Sequence, residues 1–232
     1  MKFSLVIPCY NEAKNIPLLL ERCEIFSERS NFEIILVDNG STDESPKVLK
    51  GLLPRYPACK SVRVEENQGY GFGILSGLRE SRGDVIGWTH ADLQTDPRDI
   101  LQAVEFFKED PAKTFVKGRR YGRPLMDVFF TLGMSVFETI LLKKKMWDIN
   151  AQPTLFSKEF FESWTEPPHD FSLDLYAYYQ AHMHKLKIYR FPVRFGERAH
   201  GVSHWNVNWS AKKKFIQRTV RFSLELKARL SK

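Results

Sequence analysis

No uninterrupted apolar run in this sequence approaches the ~20 residues that a bilayer-spanning helix needs. Cysteine is scarce too. The three present (Cys9, Cys23, Cys59) are odd in number and lack metal-ligand spacing, which excludes a disulfide-stapled scaffold and fits reduced thiols in a cytosolic protein. No secretory leader is expected either: residues 1–8 already read as a strand, with one Lys and no separate apolar core. The Asn-x-Ser matches at Asn39 and Asn208 are therefore read as chance. What is present is a hydrophobic fraction of 43% and an aromatic fraction of 13%, which exclude a disordered chain. At 232 residues the length suits one sizeable α/β domain.

The net charge of +7 is unevenly spread. Residues 1–112 hold 13 Lys+Arg against 18 Asp+Glu, whereas residues 113–232 hold 22 against 10. An acidic half joined to a basic half implies that the second half meets an anionic partner: nucleic acid, an anionic membrane or a phosphorylated substrate.

The first half alternates strand and helix patterns. Short, almost continuously apolar runs at residues 3–8 (FSLVIP), 32–37 (FEIILV) and 85–88 (VIGW), with a weaker one at 62–64, predict buried parallel strands joined by helices. Each main strand ends in polar residues. After the first come Tyr10, Asn11 and Glu12, with Asn11 expected to cap the next helix. After the second come Asp38, Asn39 and Gly40, with Ser41 or Thr42 as the cap. The strand at 85–88 runs into His90, Asp92, Gln94 and Asp96, and Pro97 is expected to open a helix through Phe107. Carboxylates and imidazole at strand carboxyl ends stand where open α/β sheets bind ligands. Asp38 there either takes a ribose or base donor or only orders its turn. The glycines at 69, 71 and 73 are spaced G-x-G-x-G and follow the third strand, so they are no dinucleotide fingerprint.

VIPCYNE, VDNGSTDES, NQGYGFGILSGL and HADLQTDP, in this order, resemble the nucleotide-sugar domain of the family 2 glycosyltransferases, with a GT-A fold. Within that family the resemblance is greatest to the dolichyl- or polyprenyl-phosphate mannose or glucose synthase branch, and it covers roughly residues 3–205. It implies that Pro8, Tyr10, Glu12, Asp38, Asn39 and Gly69 bind the nucleotide sugar, with Gln94 nearby. It also implies that Asp92, with the residue two before it, holds Mg²⁺ or Mn²⁺ on the diphosphate. The family usually reads Asp-Ala-Asp where this chain reads His90-Ala91-Asp92. Mg²⁺ prefers oxygen, whereas imidazole suits Mn²⁺ or a softer metal. Two arrangements stay open: His90 is a ligand that tilts preference toward Mn²⁺, or Asp92 alone contacts the metal.

In the second half, a strand at 114–117 leads to Gly118-Arg119-Arg120-Tyr121, which resembles the family's Gly-Ser-Arg-Tyr and makes Arg120 the phosphate-contacting arginine. Residues 125–142 read as a helix with Asp127, Thr131, Ser135 and Glu138 on one side and apolar residues over the rest. It either packs on the core or lies in a headgroup layer, with the lysines at 143–145 on lipid phosphate. Asp174 stands where the family has Glu, as general base, acceptor-orienting group or first-turn helix charge. Residues 198–204 match the family's Arg-x-x-G-x-S-Lys at Arg198, Gly201 and Ser203, with His204 for the Lys; the loop suits a lid over phosphates. The tail from 210 holds eight Lys+Arg and one Glu and reads as a basic amphipathic helix.

The expectation is one α/β domain over residues 1–232, a mostly parallel central sheet flanked by helices with amphipathic helices in the C-terminal half. Residues 1–118 form its nucleotide-sugar half, 119–209 its acceptor half and 210–232 a basic helix. The expected function is inverting hexosyl transfer from a GDP- or UDP-sugar to a polyprenyl or dolichyl phosphate, in cell-envelope glycan synthesis. Asp92, Asp174 and Arg198 would be catalytic, and Asp92 and His90 would be metal ligands. The protein is expected to be peripheral on the cytoplasmic face of an anionic membrane, or to rely on a membrane-protein partner, with no nucleic-acid role. Two alternatives remain: transfer to a hydroxyl of a lipid-linked or surface glycan precursor, and a non-catalytic membrane-binding protein on a degenerate transferase fold.

Overall fold

The computed structural model describes residues 1–201 and 209–230, with side chains described for all of these except 209–215 and 229–230. The first half builds β1 (Phe3–Cys9), α1 (Ile16–Cys23), β2 (Phe32–Asn39), α2 (Ser45–Leu52), β3 (Cys59–Val64), α3 (Tyr70–Arg79) and β4 (Val85–Trp88). The second half adds α4 (Ile100–Ala103), β5 (Thr114–Tyr121), α5 (Leu125–Leu142), β6 (Thr154–Ser157), α6 (Lys158–Glu162), α7 (Leu173–Met183), β7 (Lys187–Arg194) and α8 (Trp209–Leu230). The continuous helix expected from Pro97 to Phe107 is instead a 3-10 turn, the single α-turn α4 and a second 3-10 turn. The three cysteines are free thiols.

Seven strands form one sheet in the order β3-β2-β1-β4-β6-β5-β7. β3, β2, β1 and β4 are parallel; β6 runs antiparallel between β4 and β5, and β7 is parallel to β5. Alternation along β1 sends Leu5 and Ile7 to one face and Val6 to the other. Leu5 and Ile7 pack with Ile16, Leu19 and Leu20 of α1, and Val6 packs with Ile74, Leu75 and Leu78 of α3. Both faces are covered, which is why the central strands read as unbroken apolar runs.

α5 reverses the usual arrangement. Its polar side turns inward: Ser135 and Glu138 are buried at 1% and 0% exposure, and Ser223 of α8 donates to Glu138 Oε1 at 2.7 Å. Its apolar side faces out, with Leu125, Met126, Phe129 and Ile140 at 65–78% exposure. By length and composition α5 is also apolar enough to cross a membrane, at a mean hydropathy of 1.7. On α8, Leu226 is buried while Arg218 and Arg221 face outward.

Candidate active site

β1, β2 and β4 deliver their carboxyl ends to one edge, with Cys9 in register with Asp38. Asn11 does not cap α1. It adopts φ 56°, and its Oδ1 accepts the N–H groups of Thr42 and Asp43 at 2.9 and 3.3 Å. Nor do Ser41 and Thr42 cap α2. Ser41 Oγ accepts the Asn11 N–H at 3.0 Å and Ser45 Oγ accepts the Glu12 N–H at 2.9 Å. The cap-type side chains therefore tie the loop after β1 to the loop after β2, and so set the spacing of the cleft floor. Asp38, 2% exposed, accepts the Ser41 N–H at 3.0 Å and pairs with Arg63 at 2.6 Å. Tyr10 stands exposed at the rim.

The loop leaving β4 is pinned by a 3.1 Å hydrogen bond between the Thr89 and Thr95 hydroxyls, and Leu93 turns at φ 61°. Asp92 is 6% exposed. Its Oδ1 accepts the Gln94 N–H at 3.1 Å, and its Oδ2 meets the Arg198 guanidinium at 2.8 Å. Gln94 clasps the Arg198 loop through Gly196, its side-chain amide donating to the Gly196 carbonyl at 3.2 Å and its main-chain carbonyl accepting the Gly196 N–H at 2.8 Å. Burial raises the Glu12 carboxyl; the Asn15 hydrogen bond opposes that rise, and the Asp92 charge adds to it. His90 stacks on Tyr70 at 5.7 Å, and Tyr70 stacks on Phe171 at 4.6 Å. Burial lowers the His90 imidazole below its ordinary value, against the pull of Asp92 and Asp174.

Behind this edge lies a buried polar cluster. Lys117, 0% exposed, donates to Thr154 Oγ1 at 2.7 Å and to Asp174 Oδ1 at 3.3 Å. Gln152 donates to the same Asp174 oxygen at 2.6 Å. Burial brings the Lys117 amine down to about 8, against the opposing charge of Asp174. Asp174 is thus an enclosed carboxylate, 2% exposed and held by Lys117 and Gln152. Beside the cluster, Asp148 is a hub for arginines: Arg120 binds it through two nitrogens, at 2.9 and 2.5 Å, and Arg123 and Arg190 lie 3.8 and 3.9 Å away.

Sequence reasoning missed both Lys117 and Asp148 as site residues. The readable signal was a lysine closing an apolar strand, where only a buried partner makes the charge tolerable. Other expectations change in detail. The exposed face of Gly69 is taken by packing: at φ 112°, an added Cβ would stand 2.5 Å from the His169 carbonyl, so its contribution is this close approach. Asp96 caps the 3-10 turn and pairs with Arg98 at 2.6 Å, away from any ligand set. Ser203 and His204 lie outside the described residues.

His90 and Asp92 can supply one imidazole nitrogen and one carboxylate to a cation. Among the described residues no group of three or more His, Cys, Asp or Glu side chains is assembled for a metal. Two protein donors fit a divalent ion whose other ligands are water and substrate phosphate, and a neutral His90 keeps a lone pair for it.

The profile of glycosyl transferase family 2 matches residues 4–165. An undecaprenyl-phosphate 4-deoxy-4-formamido-L-arabinose transferase of Pseudomonas paraeruginosa is 42% identical over 106 residues, covering 44% of this chain and 31% of that protein. Its counterpart in Serratia proteamaculans is 36% identical over 111 residues, covering 47% and 34%. The matches thus span about a third of the length of these curated relatives. Among solved structures, the mannosyltransferase PcManGT of Pyrobaculum calidifontis, in complex with GDP-Man and Mn²⁺, superposes with a TM-score of 0.65 at 20% identity, over 86% of this chain and 58% of that one. Glucosyl-3-phosphoglycerate synthase of Mycobacterium tuberculosis, with Mn²⁺, UDP and glucosyl-3-phosphoglycerate, gives 0.71 at 17% identity, over 97% and 79%. At those identities the structures show the shared α/β GT-A fold.

Proposed function

The chain belongs to glycosyl transferase family 2, and from that premise we propose that it transfers a hexose from a GDP- or UDP-sugar to a polyprenyl phosphate, with inversion, at a membrane surface. The observation that carries the reading is the Asp92–Arg198 pair at 2.8 Å on the strand-end edge, beside Asp38 and Glu12. Nucleoside and ribose lie over Pro8, Tyr10 and Asp38. The diphosphate lies over Asp92, and Arg198 leaves Asp92 to pair with its oxygens as charge grows there. Asp92 and His90 would hold a divalent ion there, which when bound would supply further charge neutralisation to the leaving diphosphate. An acceptor phosphate oxygen forms its bond to the anomeric carbon as the bond to the diphosphate oxygen breaks, and the nucleoside diphosphate departs with that electron pair.

A phosphate acceptor is favoured over a glycan hydroxyl because the carboxylates behind the cleft are committed to cations: Asp174 to Lys117, and Asp148 to arginines. Neither is free to act as the base that a hydroxyl requires, whereas a phosphate arrives ionised. The similar transferases carry undecaprenyl phosphate in their names and an arabinose derivative as the sugar, so they support the acceptor class and leave the hexose resting on the sequence resemblance.

Membrane attachment rests on α5. Its outward Phe129 and Ile140, the exposed Lys143 and Lys145 beyond its end and the outward Arg218 and Arg221 of α8 make an apolar stripe bordered by cations, suited to anionic lipid on the cytoplasmic face. Two measurements test the proposal. Radiolabelled GDP- and UDP-sugars, with a short polyprenyl phosphate and Mn²⁺, are expected to give a chloroform-soluble product. Failure of every nucleotide sugar to be bound or turned over would leave only the non-catalytic, membrane-binding alternative. Anionic vesicles are expected to co-float the wild type and to release Phe129→Asp; equal flotation of the two contradicts the membrane assignment.

A further inference from the structure

A divalent cation asks more of His90 than of Asp92. A carboxylate offers lone pairs on two oxygens, whereas a neutral imidazole offers one, in the plane of its ring. That plane must be held before the nitrogen can serve, commonly by a hydrogen bond to the other ring nitrogen. Beside His90 there stands an aromatic column. The imidazole stacks on Tyr70 with centroids 5.7 Å apart and planes 25° from parallel. Tyr70 stacks on Phe171 at 4.6 Å and 11°. The Arg218 guanidinium lies over Phe171, its Cζ 5.2 Å from the ring centroid, and its Nε pairs with the neighbouring Asp170 at 3.2 Å. These spacings lie within the range of aromatic and cation–π attraction.

The column is braced along its length. Tyr70 opens α3, and the backbone before Phe171 lies directly against that first turn: the Phe72 N–H donates to the His169 carbonyl at 2.9 Å, and a Cβ on Gly71 would stand 2.6 Å from the Pro168 carbonyl oxygen. Asp170 Oδ1 accepts the Ser172 N–H at 2.8 Å, which fixes the carboxylate that Arg218 reaches. α8, which carries Arg218, is fastened to α5 through Ser223 and Glu138. Core packing does not account for Phe171, which is 38% exposed and lies outside both core clusters.

We propose that Phe171 and Arg218 are positioning residues for His90: Arg218 fixes Phe171, Phe171 fixes Tyr70, and the Tyr70 ring holds the imidazole in the plane from which it ligates a divalent cation. By this route α8 serves the donor site as well as the outer surface. The proposal rests on the transferase reading for the partner of the cation, a nucleoside diphosphate. The cation can be titrated without nucleotide, so the two can fail separately.

Mn²⁺ binding to the full chain is followed by electron paramagnetic resonance of the free ion, alone and with UDP or GDP present. Phe171→Leu is expected to weaken Mn²⁺ about tenfold, the loss usual for a residue that orients a ligating histidine. Phe171→Tyr keeps the ring and is expected to restore wild-type affinity. Arg218→Gln is expected to weaken Mn²⁺ about threefold, as for a half-exposed cation–π contact, and Arg218→Lys to weaken it less. UDP and GDP affinity measured without metal should be unchanged in all four variants. His90→Asp supplies the control: with a carboxylate at this position, Phe171→Leu and Arg218→Gln should no longer change Mn²⁺ affinity. An equal loss in the wild-type and His90→Asp backgrounds makes the effect a general structural one and overturns the proposal. So does Mn²⁺ affinity that is unchanged in both Phe171→Leu and Arg218→Gln, and so does a wild type that binds no Mn²⁺. If Phe171→Leu fails to fold, Arg218→Gln, at a surface position, decides by the same comparison. A wild type that binds Mn²⁺ with the expected response to these variants but binds neither UDP nor GDP supports the positioning and sinks the transferase reading.

Discussion

Arg198 reaches Asp92 from a loop more than a hundred residues away in the chain, and that pair sets what a substitution at either position does. Arg198→Ala leaves Asp92 free to hold a metal but removes a donor that follows charge onto the leaving diphosphate. The expected loss is ~10²–10³-fold in kcat with donor KM changed much less, measured in the transfer assay. Lys117 poses a different question. Lys117→Met strands the Asp174 charge in the interior at a cost of about 3–5 kcal/mol, whereas Lys117→Met with Asp174→Asn removes both charges and is expected to recover most of that stability in urea unfolding. Equal destabilisation of the single and double variants would show that the pair is not coupled. Asp38, Asp92 and Arg198 were picked out through the family resemblance of their motifs, and the structure brings Asp92 and Arg198 together at 2.8 Å. The Lys117–Asp174 pair and the Asp148 hub were not legible in the sequence, because their partners stand 57 and 28 positions apart and only the meeting of β5 with α7 and of β5 with the turn after α5 creates them.

At the scale of elements, α5 shows what periodicity can and cannot say. The spacing of Asp127, Thr131, Ser135 and Glu138 divides the helix into two faces, but a moment has no sign relative to the protein. The inward direction was set by α8, whose Ser223 gives the Glu138 carboxyl a partner. The pH response follows. Burial raises Glu138 from 4.5 to about 7, with the Ser223 hydrogen bond opposing. The folded state therefore holds this proton more tightly than the unfolded chain does. Its contribution to stability is full below about pH 4.5 and is lost as pH rises through about 7. Burial and the neighbouring Asp96 charge raise Asp99 to about 6, so it adds a slope of the same sign. Glu138→Gln should flatten the fall in melting temperature between pH 5 and 8, leaving the part due to Asp99; an unchanged slope would mean that Glu138 does not titrate in the fold. The inner strands β1, β2 and β4 were the most legible elements because they are buried on both faces, and the broken helix after Pro97 the least, because 3-10 and α turns share one sequence pattern.

For the molecule as a whole, the uneven charge acquires a location. The acidic half supplies the strand-end carboxylates over which a donor diphosphate would lie. The basic half supplies Arg120, Arg123, Arg190 and Arg198 around them, and the cations beside the outward face of α5. Sheet order unites the two halves: β6 reverses direction between β4 and β5, which brings Gln152 and Thr154, at the start of β6, against Lys117 in β5. No local pattern announces that crossing. The central claim, that Asp92 marks the diphosphate position of a nucleotide-sugar site, is tested most directly by a crystal structure with GDP- or UDP-sugar and Mn²⁺, using the anomalous signal of the metal. The account predicts a manganese peak on the Asp92 carboxylate and diphosphate density between it and a released Arg198, with the nucleoside against Tyr10 and Asp38. Nucleotide bound away from this edge, or a manganese peak that avoids Asp92, would contradict it.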